Sequence, residues 1–186
     1  MRTKDTVTVA MFAALIVVLS LVPPIPVPAL PVPITLQALG VMLAGCMLGP
    51  GRGAAAVGLY LVLAAIGLPV LPGGRGGLGV YAGPTGGFLV GMLIGAAVCG
   101  AIAQRVARSN GGALAAMPGY FLAALAGGLV VVYAVGIPWL AAVAGMTLGK
   151  AALAMVVFLP GDIAKAVLAA VVTQRVRRVW TFAGER

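Results

Sequence analysis

The chain contains no histidine, and only three of its 186 residues are acidic. The first absence removes the commonest general base, zinc ligand and proton shuttle. The second leaves almost nothing from which to build a carboxylate pair or a metal cluster. Charged residues of either sign make up 8% of the chain, against about 25% in soluble domains. That is too little polar surface to cover a globule facing water, so lipid must be the solvent for much of the chain. Cys46 and Cys99 lie in apolar segments without metal or redox spacing and are expected as small buried hydrophobes. No Gly-x-x-x-x-Gly-Lys-Ser/Thr phosphate loop is present, so the chain has no nucleotide-hydrolysing motif of its own. No catalytic residue, cofactor or metal ligand is expected.

What the chain does have is apolar length and glycine. Its residues are 62% hydrophobic and include 28 glycines. A helical span needs about 20 apolar residues, so this length accommodates about six spans and one integral membrane domain, residues 1–186, of all-α class. The spans read as Val7–Val22, Ile34–Leu48, Ala54–Gly67, Thr85–Ala103, Pro118–Val135 and a last one from Pro160 to Val172. Arg2 and Lys4 followed by an apolar run resemble a signal peptide, but no small-x-small cleavage site followed by a mature soluble domain appears and more spans follow directly, so the run reads as an uncleaved first span. Pro23 to Pro33 form an extended connector, because so many prolines cannot be helical. Gly49-Pro50-Gly51-Arg52-Gly53 reads as a tight turn, and Gly136-Ile137-Pro138-Trp139 as a break. Leu140–Phe158 reads as one or two short, partly re-entrant helices.

The net charge of +9 would suggest nucleic acid on a soluble protein, but the positions argue against that partner. Arg2, Lys4, Arg52, Arg105, Arg108, Arg175, Arg177 and Arg178 all fall on one side of a six-span topology. The positive-inside rule makes that side cytoplasmic, with both termini there, in a multi-pass protein of the cell membrane. Anionic lipid headgroups would reinforce the arrangement.

Four charges break the pattern: Arg75, Lys150, Asp162 and Lys165. An ionisable residue at membrane depth costs at least about 2.5 kcal/mol on insertion scales and marks function by default. Asp162 and Lys165 are three apart and share a face of the last helix. The bland alternative is a helix cap neutralised by its neighbour. Arg75 sits in the glycine-rich loop Gly73–Gly79, on the same side of the membrane. There Gly74 and Gly77 either let backbone approach a ligand closely or belong to a flexible exposed loop. Tyr81 either stacks on a ligand or anchors at the interface. Gln37 and Thr35 either line the same cavity or bond neighbouring helices. Lys150 either joins the site or snorkels to the interface. Ala10 and Ala14 have the small-x-x-x-small spacing that permits close helix approach.

Pro33-Ile34-Thr35-Leu36-Gln37, Gly73-Gly74-Arg75-Gly76-Gly77-Leu78-Gly79, Gly83-Pro84-Thr85-Gly86-Gly87 and Phe158-Leu159-Pro160-Gly161-Asp162-Ile163-Ala164-Lys165-Ala166 together resemble the BioY family. Members are biotin-binding substrate-capture (S) components of energy-coupling factor transporters. The resemblance runs in order over essentially the whole chain. It implies an S-component-like six-helix bundle with proline- and glycine-rich outer loops and biotin bound near the outer face. It also implies partnership with a transmembrane coupling protein and ATP-binding cassette subunits, with Ala10 and Ala14 in the coupling contact. Biotin's chemistry suits the charges: Asp162 would accept from the ureido N–H groups, and Lys165 or Arg75 would meet the carboxylate. A self-sufficient secondary transporter or facilitator of biotin is the alternative; an intramembrane enzyme has too thin a constellation.

Overall fold

A computed structural model describes residues 3–28, 30–108 and 116–179, without the side chains of residues 178 and 179. Arg2 and the side chain of Arg178, invoked above for the basic face, lie outside that description. The chain forms helices α1 (Thr3–Leu21), α2 (Gln37–Leu48), α3 (Pro50–Ala65), α4 (Gly79–Ala82), α5 (Gly86–Arg108), α6 (Ala116–Leu125), α7 (Val132–Val143), α8 (Leu148–Met155) and α9 (Leu159–Val179). A π-helical segment, Ala126–Val131, joins α6 to α7, and a 3-10 turn, Val156–Phe158, joins α8 to α9. No strand occurs among the described residues, only isolated bridges between Ile25 and Ile34 and between Leu71 and Arg75.

Four helical stretches are long and apolar enough to cross a membrane: Thr3–Leu21, Gly86–Arg108, Ala116–Val143 and Leu148–Arg177. α2 and α3 are shorter apolar helices. The six apolar segments of the sequence therefore all appear as helices, with shifted boundaries. Pro50 starts α3 instead of lying in a turn, because a proline at the first helical position loses no hydrogen bond; only Gly49, at φ +81°, is left to reverse the chain. The expected break at Gly136–Trp139 does not occur. The helix runs through Pro138 to Val143, as membrane helices allow when local adjustments and neighbours satisfy the freed carbonyl. α9 begins at Leu159, one residue before Pro160, and continues past Val172 to Val179.

Small residues set the packing. A Cβ on Gly45 would lie 2.8 Å from both the Ala96 carbonyl oxygen and Cys99 Cβ, and one on Gly53 would lie 2.8 Å from the Ala44 carbonyl oxygen. Glycine thus brings α2 against α5 and α3 at backbone distance, which replaces the hydrophobic drive that lipid does not supply. Cys46 and Cys99 are buried in this seam, their sulfurs 3.1 Å apart. Along α9, residues 162, 165, 166, 169, 170, 173 and 174 are buried while the other residues from 159 to 177 are exposed or half-buried, a stripe of helical period. α1 has the complementary pattern: Val9, Phe12, Ala13, Ile16 and Ser20 face inward, and Val7, Ala10, Met11, Ala14, Val18 and Leu21 face outward. Large exposed apolar residues occur on most of the long helices, as a lipid-facing surface requires.

The basic residues gather at one end of the bundle. Arg52 of α3 pairs with Asp5 of α1 at 3.0 Å. Arg177 of α9 donates to the Cys46 and Met47 carbonyls at the C-terminus of α2 and lies over the Tyr120 ring, 5.7 Å from its centroid. A guanidinium there satisfies carbonyls that the helix end leaves open and complements its dipole.

Substituting Gly45 by alanine should overpack the α2–α5 seam and cost about 1–3 kcal/mol. Gly51→Ala, where no atom lies within 4 Å of the added Cβ, should be nearly neutral. Thermal unfolding of the two purified variants in detergent checks the difference.

Candidate ligand-binding site

At the end of the bundle opposite the arginine cluster, an open cavity lies among the starts of α2, α5 and α9, the glycine-rich loop and the π segment. Its walls are largely apolar, with Phe88, Leu89 and Met92 from α5, Val132 from α7, and Met155 and Phe158 from the α8–α9 region. Gln37, Thr35, Thr85, Arg75, Asp162 and Lys165 supply the polar groups, joined by Tyr133. A mostly apolar pocket with a few convergent polar groups is the usual form of a small-molecule site.

Three helices begin at this cavity. Gln37 is the first residue of α2, Thr85 immediately precedes α5, and Asp162 lies in the first turn of α9. Each helix start contributes partial positive charge. The side chains add two cations, Arg75 and Lys165, and one anion, Asp162, leaving one positive charge in excess. The cavity is therefore suited to a ligand that brings a negative charge.

Both oxygens of the anion accept from protein donors. Asp162 and Lys165 are 7% and 8% exposed. Lys165 Nζ donates to Asp162 Oδ1 at 2.8 Å, and Tyr133 Oη donates to Oδ2 at 2.6 Å. Each carboxylate oxygen keeps a further lone pair free for a ligand donor. Phe88 meets the Tyr133 ring edge-on, with centroids 6.4 Å apart. Gln37, which lines the cavity, is 4% exposed, and its Nε2 is a buried donor with no hydrogen-bond partner in the protein.

Arg75 is aimed by its loop. Pro72 and Gly73 occupy the centre of a turn closed by Gly74 N–H donating to the Leu71 carbonyl at 3.0 Å. Gly73 has φ +76°, as a Pro-Gly type II turn demands. Gly74 follows at φ +70°, and Leu71 and Arg75 then exchange backbone hydrogen bonds. Arg75 Nε donates to the Pro72 carbonyl at 3.1 Å, which holds this exposed side chain against its own loop. Gly77, at φ +91°, donates to the Ala64 carbonyl at 2.7 Å and ties the loop to the end of α3.

The structure thus brings together Asp162, Lys165, Arg75 and Gln37, with Thr35 beside them. Gly74, Gly77 and Tyr81 do not line the cavity: the glycines shape the loop, and the Tyr81 hydroxyl donates to the Leu61 carbonyl of α3. Burial pushes the Tyr81 phenol above its usual value, which keeps it a donor. Lys150 is exposed on α8 and outside the cavity. Sequence reasoning missed Tyr133 and Phe88. The available signals were a phenol inside a valine run and, for the register, the Gly127-Gly128 pair in the π segment.

A bundle of apolar helices closed at one basic end and open at the other into a positively biased cavity is a membrane protein built to capture a small solute. The chain belongs to the BioY family, whose family model matches residues 1–182. Similar proteins include the biotin transporter BioY of Rhizobium etli, 52% identical over 176 residues that cover 95% of this chain and 94% of the relative. The biotin transporter BioY of Rhodobacter capsulatus is 48% identical, covering 93% of each chain. A crystal structure of the S-component for biotin from an ECF-type ABC transporter superposes with a TM-score of 0.87 at 36% identity, covering 95% of this chain and 92% of that one. The S-component-like bundle expected from the sequence is therefore the fold, and the relatives are transporters, not enzymes.

Removing Lys165 alone should leave an uncompensated buried carboxylate and cost about 3–5 kcal/mol. The double substitution Asp162→Asn with Lys165→Met should recover much of that stability. Unfolding temperatures of the single and double variants in detergent check this.

Proposed function

We propose that the chain binds biotin in this cavity and is the capture component for its uptake across the cell membrane. The observation that carries the reading is a single excess positive charge beside an ionic acceptor, in a cavity whose remaining wall is largely apolar. Biotin has matching parts: a carboxylate, a ureido group with two N–H donors and one carbonyl acceptor, and an apolar ring and tail. Asp162 accepts from the ureido N–H groups, and the unpartnered Gln37 Nε2 supplies a donor to a ligand acceptor. Lys165 already donates to Asp162 at 2.8 Å, which leaves Arg75 as the cation for the carboxylate. Gly74, Gly77 and Tyr81 act through the loop that carries Arg75.

The basic end of the bundle is cytoplasmic by the positive-inside rule, which puts both termini inside and the cavity toward the outer face. Because the sequence holds no phosphate-binding loop, energy comes from partner subunits, a transmembrane coupling protein and ATP-binding cassette subunits. Ala10 and Ala14, exposed on the outward stripe of α1, form a flat small-residue face on which a partner helix can pack closely.

Radiolabelled biotin titrated onto purified protein tests the first half. Arg75→Ala should weaken biotin binding by about 10- to 100-fold, the range expected for a charge-assisted contact. It should leave binding of biotin methyl ester, which lacks the carboxylate charge, nearly unchanged. Parent protein that does not bind biotin overturns the reading. For the second half, Ala10→Trp with Ala14→Trp should leave biotin binding intact and abolish co-purification with the coupling subunits. Full uptake in vesicles lacking any ATPase would instead establish a self-sufficient transporter.

A further inference from the structure

Helices α7 and α9 barely touch each other. α7 rests on α5 and α8, whereas α9 rests on α2 and α6. The space between α7 and α9 belongs to the cavity, and at its wall the Tyr133 hydroxyl reaches from α7 to Asp162 Oδ2 on α9 at 2.6 Å. The position of that hydroxyl depends on irregular backbone. The π-helical segment Ala126–Val131 ends two residues before Tyr133. Its wider turns shift the register of everything that follows, where each residue of a regular helix accounts for roughly 100° of rotation. Glycine lets the segment pack closely on α5 and α2: a Cβ on Gly127 would lie 2.6 Å from Cys99 Cβ, and one on Gly128 would lie 2.6 Å from Met42 Cε. On its other side the Tyr133 ring is braced edge-on by Phe88.

From this geometry we infer that Tyr133 is a positioning residue of the ligand site, whose hydroxyl orients the Asp162 carboxylate across the cavity and so makes the site select ligands with paired N–H donors. Two fixed donors, Tyr133 Oη on Oδ2 and Lys165 Nζ on Oδ1, hold the carboxylate in one rotamer. Both oxygens then present their remaining lone pairs in a defined plane. A carboxylate held this way pairs with two N–H groups side by side. One that is free to turn on χ2 meets a single donor almost as well, so the loss of Tyr133 reduces discrimination more than it reduces bonding. Lys165 cannot substitute, because it lies three residues from Asp162 on the same helix and approaches from that side alone.

The inference has two readouts, of which only the second rests on biotin being the ligand. In ligand-free protein, the Asp162 carboxylate stretch is followed by infrared spectroscopy. With three acidic residues in the chain, the band is assignable by its loss in Asp162→Asn. Tyr133→Phe keeps the ring against Phe88 and removes only the donor, so the band should shift. Replacing Tyr133 with 3-fluorotyrosine keeps the hydroxyl and makes it a stronger donor, so the shift should be opposite, and this second replacement decides the matter if the phenylalanine variant does not fold. In the second readout, Tyr133→Phe should weaken biotin about tenfold, the effect of one hydrogen bond to a charged group. It should barely change the affinity for biotin methylated on one ureido nitrogen, so that the preference for biotin collapses. An Asp162 band that does not move with the Tyr133 donor overturns the inference, as does an equal loss of affinity for both ligands. Parent protein that ignores biotin overturns the proposed ligand, and the infrared result then still decides the role of Tyr133.

Discussion

The ion pair between Asp162 and Lys165 sits at the start of a helix whose remaining length faces lipid or other helices, and much of the structure around it follows from the need to keep those two charges. Neither group could be buried alone at tolerable cost. Each oxygen of the carboxylate receives a protein donor, one from its own helix and one from Tyr133 on α7. The helix starts clustered around the cavity lower the cost of the anion further. Once the pair is neutral as a unit, Arg75 becomes the surplus charge, and it stands on an exposed loop where its solvation is not lost. A ligand with a carboxylate then meets an electrostatic demand already set by the protein's own charges.

The same bundle uses glycine for two unrelated purposes. Inside the helices it removes side chains so that α2, α5 and the π segment approach at backbone distance. In the loop after α3 it supplies the positive φ values of Gly73, Gly74 and Gly77 that turn the chain back and aim Arg75. The first use holds the cavity walls together where lipid gives no hydrophobic drive between helices. The second places a cation over the cavity mouth on a segment tied to α3 by the Gly77 amide and the Tyr81 hydroxyl.

Residues whose meaning is local were legible. Asp162 and Lys165 stood out because ionisable groups in an apolar run are costly wherever the run goes, and Arg75 because it interrupts glycine. Their convergence with Gln37 could be anticipated from the side of the membrane each connector occupies. Gly74, Gly77 and Tyr81 were conspicuous for the same local reasons, yet they serve the loop backbone and α3. Nothing in their spacing distinguishes a glycine that approaches a ligand from one that closes a turn. Tyr133 stayed hidden because its orientation depends on the π segment before it, and Pro138 misled because a proline's missing hydrogen bond is tolerated within a helix in this setting.

The sequence by itself determined the solvent, the class of fold, the basic end and the charges that lipid would forbid. These rest on composition and on free energies of transfer that each residue carries with it. The family resemblance was readable as well, because its motifs are contiguous. Only the tertiary structure decided which cation pairs with Asp162, which donor completes the carboxylate and where the glycines act. Those answers depend on distances between segments far apart in the chain, set by close packing and by one irregular turn whose register the helical period alone does not reveal.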